Sequence, residues 1–156
     1  MLTKTPPFTL LTDWNIMPAV IITVGIPASG KTTWAKEYVQ QHANTVIVSR
    51  DDVREAQGFP YERWAEDRVT EIYRAQMAAY LSAGMDVICA DTNIYTPFRK
   101  SLIDFAYDHG ANITIKAFPI ELDEAIRRDA LRPAPVGEKT VKRFYDMWMS
   151  VDGINA

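Results

Sequence analysis

Residues 25–34, GIPASGKTTW, constrain this chain more than any other stretch. Gly25, Gly30, Lys31 and Thr32 fit the pattern G-x-x-x-x-G-K-[ST], with Ser29 inside the loop and Thr33 just after it. Such a loop requires a buried strand before it and a helix after it. Only then do its backbone N–H groups and the helix N-terminus converge on one anion. Both neighbours are legible. AVIITVG (19–25) is a continuous β-branched run closed by glycine, which reads as a buried parallel strand. Residues 31–42 carry the helix.

The same alternation continues. TVIVS (45–49) and MDVICA (85–90) read as two more buried strands, and NITIKAF (112–118) as a fourth. Between them lie a helical pattern from Tyr61 to Ala83, with apolar positions Ala65, Val69, Ile72 and Ala79, and a helix opened by Pro97 that closes near Gly110. ELDEAIRRDALR (121–132) is helical and stops at PAP, and a last helix over 138–150 sets Val141, Phe144 and Trp148 on one stripe. Strands alternating with helices predict an α/β fold: a small parallel sheet of about four strands flanked by helices, with a helical lid. Such sheets bind ligands beyond the carboxyl ends of their strands. Three polar clusters fall there: the glycine loop, SRDD and DTN.

The chain has 156 residues, 47% of them hydrophobic, which suits one domain over 1–156 with an irregular arm at 1–17. The net charge of −3 argues against a protein that coats nucleic acid along many phosphates. A few arginines gripping one end remain compatible with it. No apolar run approaches the ~20 residues of a membrane span. MLTKTPPFTLLTDWNIMP lacks the apolar core and cleavage site of a signal peptide, so a cytoplasmic location is expected. The lone Cys89, in VICA, reads as a buried, inert thiol, and most of Trp34, Trp64, Phe144, Tyr145 and Trp148 read as core.

The loop fixes a donor side. Gly25 and Gly30 permit tight turning, Lys31 reaches the β- and γ-phosphates of ATP, and Thr32 ligates Mg²⁺. Three further clusters carry chemistry, each beside a plainer reading. In SRDDVR (49–54), Asp51 is the candidate to accept a proton from a hydroxyl, and Asp52 to cap the next segment. The plainer reading makes both acids residues favoured by a helix N-terminus. In DTN (91–93), Asp91 holds a Mg²⁺-bound water or orients an acceptor, with Asn93 beside it; the plainer reading is a turn. In RRDALRPAP (127–135), Arg128 and Arg132 stand four apart on one face, as in a lid folding onto phosphates. The plainer reading pairs this basic face with Glu121, Asp123 and Glu124.

Taken together, GIPASGKTTWAKEYV, VIVSRDDVR, ICADTN and RRDALRP resemble the kinase domain of phage-type polynucleotide 5′-kinases over residues 19 to 150. The resemblance implies a P-loop kinase fold and transfer of the γ-phosphate of ATP to the 5′-OH end of DNA or RNA, in the host cytoplasm for a phage-borne chain. It makes Asp51 the general base and Arg132 the lid arginine, with Arg128 one helical turn before it. It also has Arg54 grip the phosphate on the 3′ side of the accepting nucleoside, and Arg50 contact the acceptor strand. It implies a kinase without the phosphatase domain that accompanies some relatives. Two rivals keep the same loop. One is a kinase for another hydroxyl, on a hydroxymethylated base of phage DNA or on a small molecule; the other is an ATP-binding switch without transfer.

Overall fold

The computed structural model describes residues 17–151. The arm expected over 1–17 therefore lies outside the described residues except for Met17. The expected strands and helices appear in order, and one further helix, α2, follows the second strand: β1 (Ala19–Val24), α1 (Lys31–Gln41), β2 (Thr45–Val48), α2 (Arg50–Gln57), α3 (Arg63–Ser82), β3 (Asp86–Cys89), α4 (Thr96–Asp108), β4 (Asn112–Ala117), α5 (Leu122–Ala130) and α6 (Glu138–Met149). The strands form one parallel sheet in the order β2-β3-β1-β4. The fold is that of an α/β P-loop kinase.

Side chains alternate along β1 and so feed two layers. Val20, Ile22 and Val24 join Val87, Cys89, Tyr73, Met77 and Leu102 in the larger core. Ile21 joins Ala35 and Ile88 in a smaller one that Trp34 and Tyr38 flank. The buried stripe of α3 is Ala65, Val69, Tyr73, Met77 and Leu81, spaced four apart. Ala65 and Val69 are buried as expected and Ile72 packs half-buried against the core, whereas Ala79 faces solvent, against expectation. The large side chains of Tyr73 and Met77 define the face that meets the sheet. Trp148 is core, as expected, whereas Trp64 is 56% exposed and packs only edge-on to Phe59. Cys89 is fully buried, and burial pushes its thiol up to about 12, which makes it inert.

Two polar fasteners hold the carboxyl ends of the central strands together. Thr23 Oγ1 donates to the carbonyls of Cys89 and Asp91, at 3.1 and 2.9 Å. Asn93, held at φ 49°, donates through Nδ2 to the carbonyls of Thr23 and Cys89. Asparagine tolerates this left-handed backbone better than most residues. The buried Arg99 of α4 then donates to the carbonyls of Asn93 and Ile94, at 2.8 and 2.9 Å. The loops that form the site are thus tied to the sheet. No helix among the described residues is long and apolar enough to cross a membrane.

Met77 is fully buried against Cys89. Met77→Ala is expected to lower unfolding stability by roughly 2–5 kcal/mol in a denaturant titration, the usual cost of such a cavity. A loss below about 1 kcal/mol would show that α3 does not pack in this register.

Candidate active site

The loop after β1 is built around two backbone needs. A Cβ on Gly25 would lie 2.6 Å from Ser29 Oγ and 3.0 Å from Phe118 Cβ, so only glycine lets the loop close. Gly30 sits at φ 101°, where side chains are strained, and it is the N-cap of α1 with no side-chain hydrogen bond. The first turn of α1 carries no acidic residue. An uncapped, unopposed helix N-terminus favours an anion. Lys31 curls back over the loop, donating to the carbonyl of Ile26 at 2.7 Å and to Ser29 Oγ at 3.3 Å. Burial lowers its ammonium to about 8, partly offset by Asp91. Thr32 and Thr33 are exposed and open onto the same space.

That space is a cleft of about 1130 Å³ at the carboxyl ends of the strands. It gathers every expected catalytic or ligand-binding residue except Gly25: Ser29, Gly30, Lys31, Thr32, Thr33, Arg50, Asp51, Arg54, Asp91, Asn93, Arg128 and Arg132 all line it. Gly25 lies beneath, its N–H bonded to the carbonyl of Thr92 at 3.0 Å.

Beyond β2, Ser49 caps α2 by accepting from the backbone N–H of Asp52 at 3.0 Å. The cap is therefore Ser49, not Asp52. Serine stands one residue before the helix, where its short hydroxyl reaches the third N–H. Asp51 is left free to face the cleft, with its side chain 76% exposed. Its Oδ1 accepts from Arg54 Nη1 at 2.6 Å and from the Tyr61 hydroxyl at 2.7 Å. Arg54 is the hub of this corner, with a side chain only 10% exposed. Its Nε and Nη2 grip Glu66 in a fork, each at 2.7 Å, and its guanidinium lies 4.1 Å from the Tyr61 ring centre. Nη1 also reaches the Tyr61 oxygen at 3.1 Å. Of the five N–H groups of Arg54, one on Nη2 remains outside these bonds.

Arg50 also lines the cleft, with its guanidinium bound to neighbouring side chains. Its guanidinium donates to Glu66 at 3.1 Å and Thr70 at 3.0 Å and lies over Phe98, while its backbone N–H bonds the Asp91 carboxylate at 3.0 Å. The hydrogen bonds from Arg54, then those from Arg50, hold the Glu66 carboxyl at about 2. Asp91 moves the other way: burial pushes it up to about 6 against the pull of the Arg50 N–H. Asn93 is buried, and its Oδ1 has no partner among the described residues.

The lid is tied down by Asp129, which is 2% exposed. Its carboxylate accepts from the backbone N–H groups of Val136 and Gly137, at 3.1 and 2.9 Å, and from Arg132 Nη1 at 3.2 Å. Helix α5 ends at Ala130, so Arg132 stands just past it, in the turn before the prolines. Arg127 and Arg128 both pair with Glu124, as the plainer reading of the basic run has it, yet Arg128 also lines the cleft. Sequence reasoning misses Tyr61, Glu66, Asp129 and Arg143. The first three act through partners, and Arg143 of α6 lines the cleft beside Phe144.

Residues 20–149 match the model of a family described as an AAA domain. The chain belongs to this family. Within it, the domain is a P-loop kinase domain, a family that uses ATP, usually with Mg²⁺. A chain in the structure of the Pnkp1/Rnl/Hen1 RNA repair complex is 27% identical, with a TM-score of 0.76, over 84% of this chain and 44% of that one. The L-seryl-tRNA(Sec) kinase of Methanococcus maripaludis is 24% identical over 81% of this chain and 51% of its own length. A provisionally named bifunctional polynucleotide kinase/RNA ligase of Autographa californica nuclear polyhedrosis virus is 23% identical over 85% of this chain and 21% of its own length. The chain thus spans about half or less of each of these relatives.

The charges of the site lead to two expected outcomes. Bound phosphates favour the charged form of Lys31, whose ammonium burial lowers to about 8. ATP affinity, measured by calorimetry from pH 7 upward, is expected to fall once pH passes about 8. Lys31→Met should bind weakly and lose that dependence. Glu66, depressed from 4.5 to about 2, contributes stability that is complete above pH 4.5 and lost as pH falls through about 2. Glu66→Gln should lower stability at pH 7 by on the order of 2 kcal/mol, a figure discounted because the carboxylate is 31% exposed. The gap to the wild type should close between pH 4.5 and 2.

Proposed function

We propose that this domain transfers the γ-phosphate of ATP to the 5′-hydroxyl end of DNA or RNA. The observation that carries the reading is the pairing of Asp51 with Arg54 in the same cleft as the phosphate loop. A nucleotide switch needs no carboxylate and guanidinium opposite its terminal phosphate. The cleft, at about 1130 Å³, exceeds the ~300–1,000 Å³ of a typical single-ligand pocket, which suits a nucleotide and the end of a second substrate. The likeness to a chain of an RNA repair complex and to a viral protein named for polynucleotide kinase activity supports the nucleic-acid acceptor.

In this mechanism the α1 N-terminus and Lys31 hold the β- and γ-phosphates. Mg²⁺ fits the donors present: the Thr32 hydroxyl opens onto the cleft, and the Asp91 carboxylate stands at its floor. Among the described residues there is no cage of three or more His, Cys, Asp or Glu side chains. Mg²⁺ at a P-loop takes a hydroxyl, phosphate oxygens and waters, so none is required. When bound, it neutralises phosphate charge. Asp51 takes the proton of the 5′-hydroxyl as that oxygen attacks phosphorus and the bond to ADP breaks. Arg132 and Arg128 lie on the lid side, where they stabilise the transferring group. The remaining N–H of Arg54 meets the phosphate on the 3′ side of the accepting nucleoside. Arg50 supports that arginine through Glu66. The buried free thiol and the use of ATP favour a cytoplasmic location.

One relative favours a second reading. The Methanococcus kinase is named for a seryl group on tRNA, a hydroxyl carried by RNA but not a 5′ end. Labelled ATP offered with a 5′-OH oligonucleotide, a 5′-phosphorylated oligonucleotide, seryl-tRNA and a hydroxymethylated DNA base separates the readings. Labelling of the 5′-OH oligonucleotide alone is the expected result; labelling of only another acceptor would replace the reading. Asp51→Asn should cut transfer by roughly 10²–10⁴-fold while ATP affinity stays within about twofold. Near wild-type transfer would remove Asp51 as the base.

A further inference from the structure

Of the aromatic residues that line the cleft, Tyr61 is the one hydrogen-bonded to Asp51 and Arg54, and neither the sequence motifs nor the reaction scheme uses it. Tyr61 lies in the turn between α2 and α3, 76% exposed, and lines the cleft. It touches both members of the acceptor pair at once. Its hydroxyl donates to Asp51 Oδ1 at 2.7 Å and accepts from Arg54 Nη1 at 3.1 Å, while the Arg54 guanidinium lies 4.1 Å from its ring centre.

The geometry points to Tyr61 as a positioning residue: with Arg54 it occupies Asp51 Oδ1 and leaves Oδ2 as the oxygen presented to the acceptor hydroxyl. Two donors from different directions fix the carboxylate about both its side-chain torsions. Arg54 alone shares the flexible i, i+3 spacing of one helix with Asp51. Tyr61 comes from outside that helix and supplies the second anchor. Among the described residues no donor meets Oδ2. Desolvation and the bond to Asp51 push the Tyr61 phenol up to about 12, so it remains a donor throughout the working range. Tyr61 takes no proton from substrate and touches none of the reacting atoms.

This inference rests on Asp51 as the base, and the test separates the two. Transfer to a 5′-OH oligonucleotide is measured for the wild type, Tyr61→Phe, Asp51→Asn and the double variant. Tyr61→Phe keeps the ring over Arg54 and loses only the hydroxyl. Its kcat should fall roughly tenfold, with KM for ATP and for the oligonucleotide within about twofold. In the Asp51→Asn background the same change should have almost no further effect, because Tyr61 acts through that carboxylate. A wild-type kcat in Tyr61→Phe, a loss confined to KM, or equal losses in both backgrounds would overturn the proposal. Absence of transfer by the wild type would overturn the acceptor reading instead. The contact then stands or falls on alkaline difference spectra of the wild type against Tyr61→Phe. The Tyr61 phenol should titrate above the ordinary value and return towards it in Asp51→Asn. Identical titration in both would overturn the proposal independently of any acceptor.

Discussion

A single guanidinium organises the half of the cleft opposite the phosphate loop. Arg54 is held in a fork by Glu66 from α3, reaches Asp51 on its own helix, and lies under Tyr61 from the intervening turn. Three segments that share no strand are thereby fixed to one another. A buried cation is costly to leave unpaired, so the network is expected to be cooperative: removing Glu66 should loosen Arg54 and leave Asp51 held by Tyr61 alone. Arg50 reinforces it from below by binding both Glu66 and, through its backbone, Asp91. On the proposed reading, the acceptor side is preorganised before any substrate arrives, as electrostatic catalysis requires.

The donor side is organised by backbone instead of side chains. Gly25 leaves room for Ser29, Gly30 adopts a positive φ, and Ala28 does so as well, at φ 67° without glycine's freedom. Strain of that kind persists only where neighbours over-determine the loop, and functional loops are where it collects. Thr23, Asn93 and Arg99 supply that over-determination by stitching β1, β3 and α4 together beneath the loop. The lid shows a third solution. Asp129 commits a buried carboxylate to two backbone N–H groups of the proline-rich connection, and so sets where Arg132 stands.

Much of this is legible in the sequence, and the division tracks the range of the interactions. The four strands, the glycine loop and the polar clusters at the strand ends are local signals, and the structure brings those clusters into one cleft. What escapes depends on pairing across a turn. Glu66 and Tyr61 look like ordinary surface residues at the start of α3, because nothing in their spacing reveals that Arg54 lies opposite. Ser49 and Asp52 compete for one capping role, and the residue just outside the helix holds the better geometry. The register of α3 departs from expectation at Ala79 because small residues carry little periodic signal, whereas Tyr73 and Met77 carry the buried face. Arg128 and Arg132 illustrate a mixed outcome: shared spacing predicts a shared face, and both do line the cleft, though the helix ends between them.

On the proposed mechanism, Asp51 Oδ2 faces the hydroxyl to be phosphorylated. A crystal structure with a 5′-OH oligonucleotide and a non-hydrolysable ATP analogue tests it most directly. The 5′ oxygen is expected within about 3 Å of Asp51 Oδ2 and in line with the γ-phosphate held at Lys31. A 5′ end bound outside hydrogen-bond reach of Asp51, with the γ-phosphate in place, would contradict it.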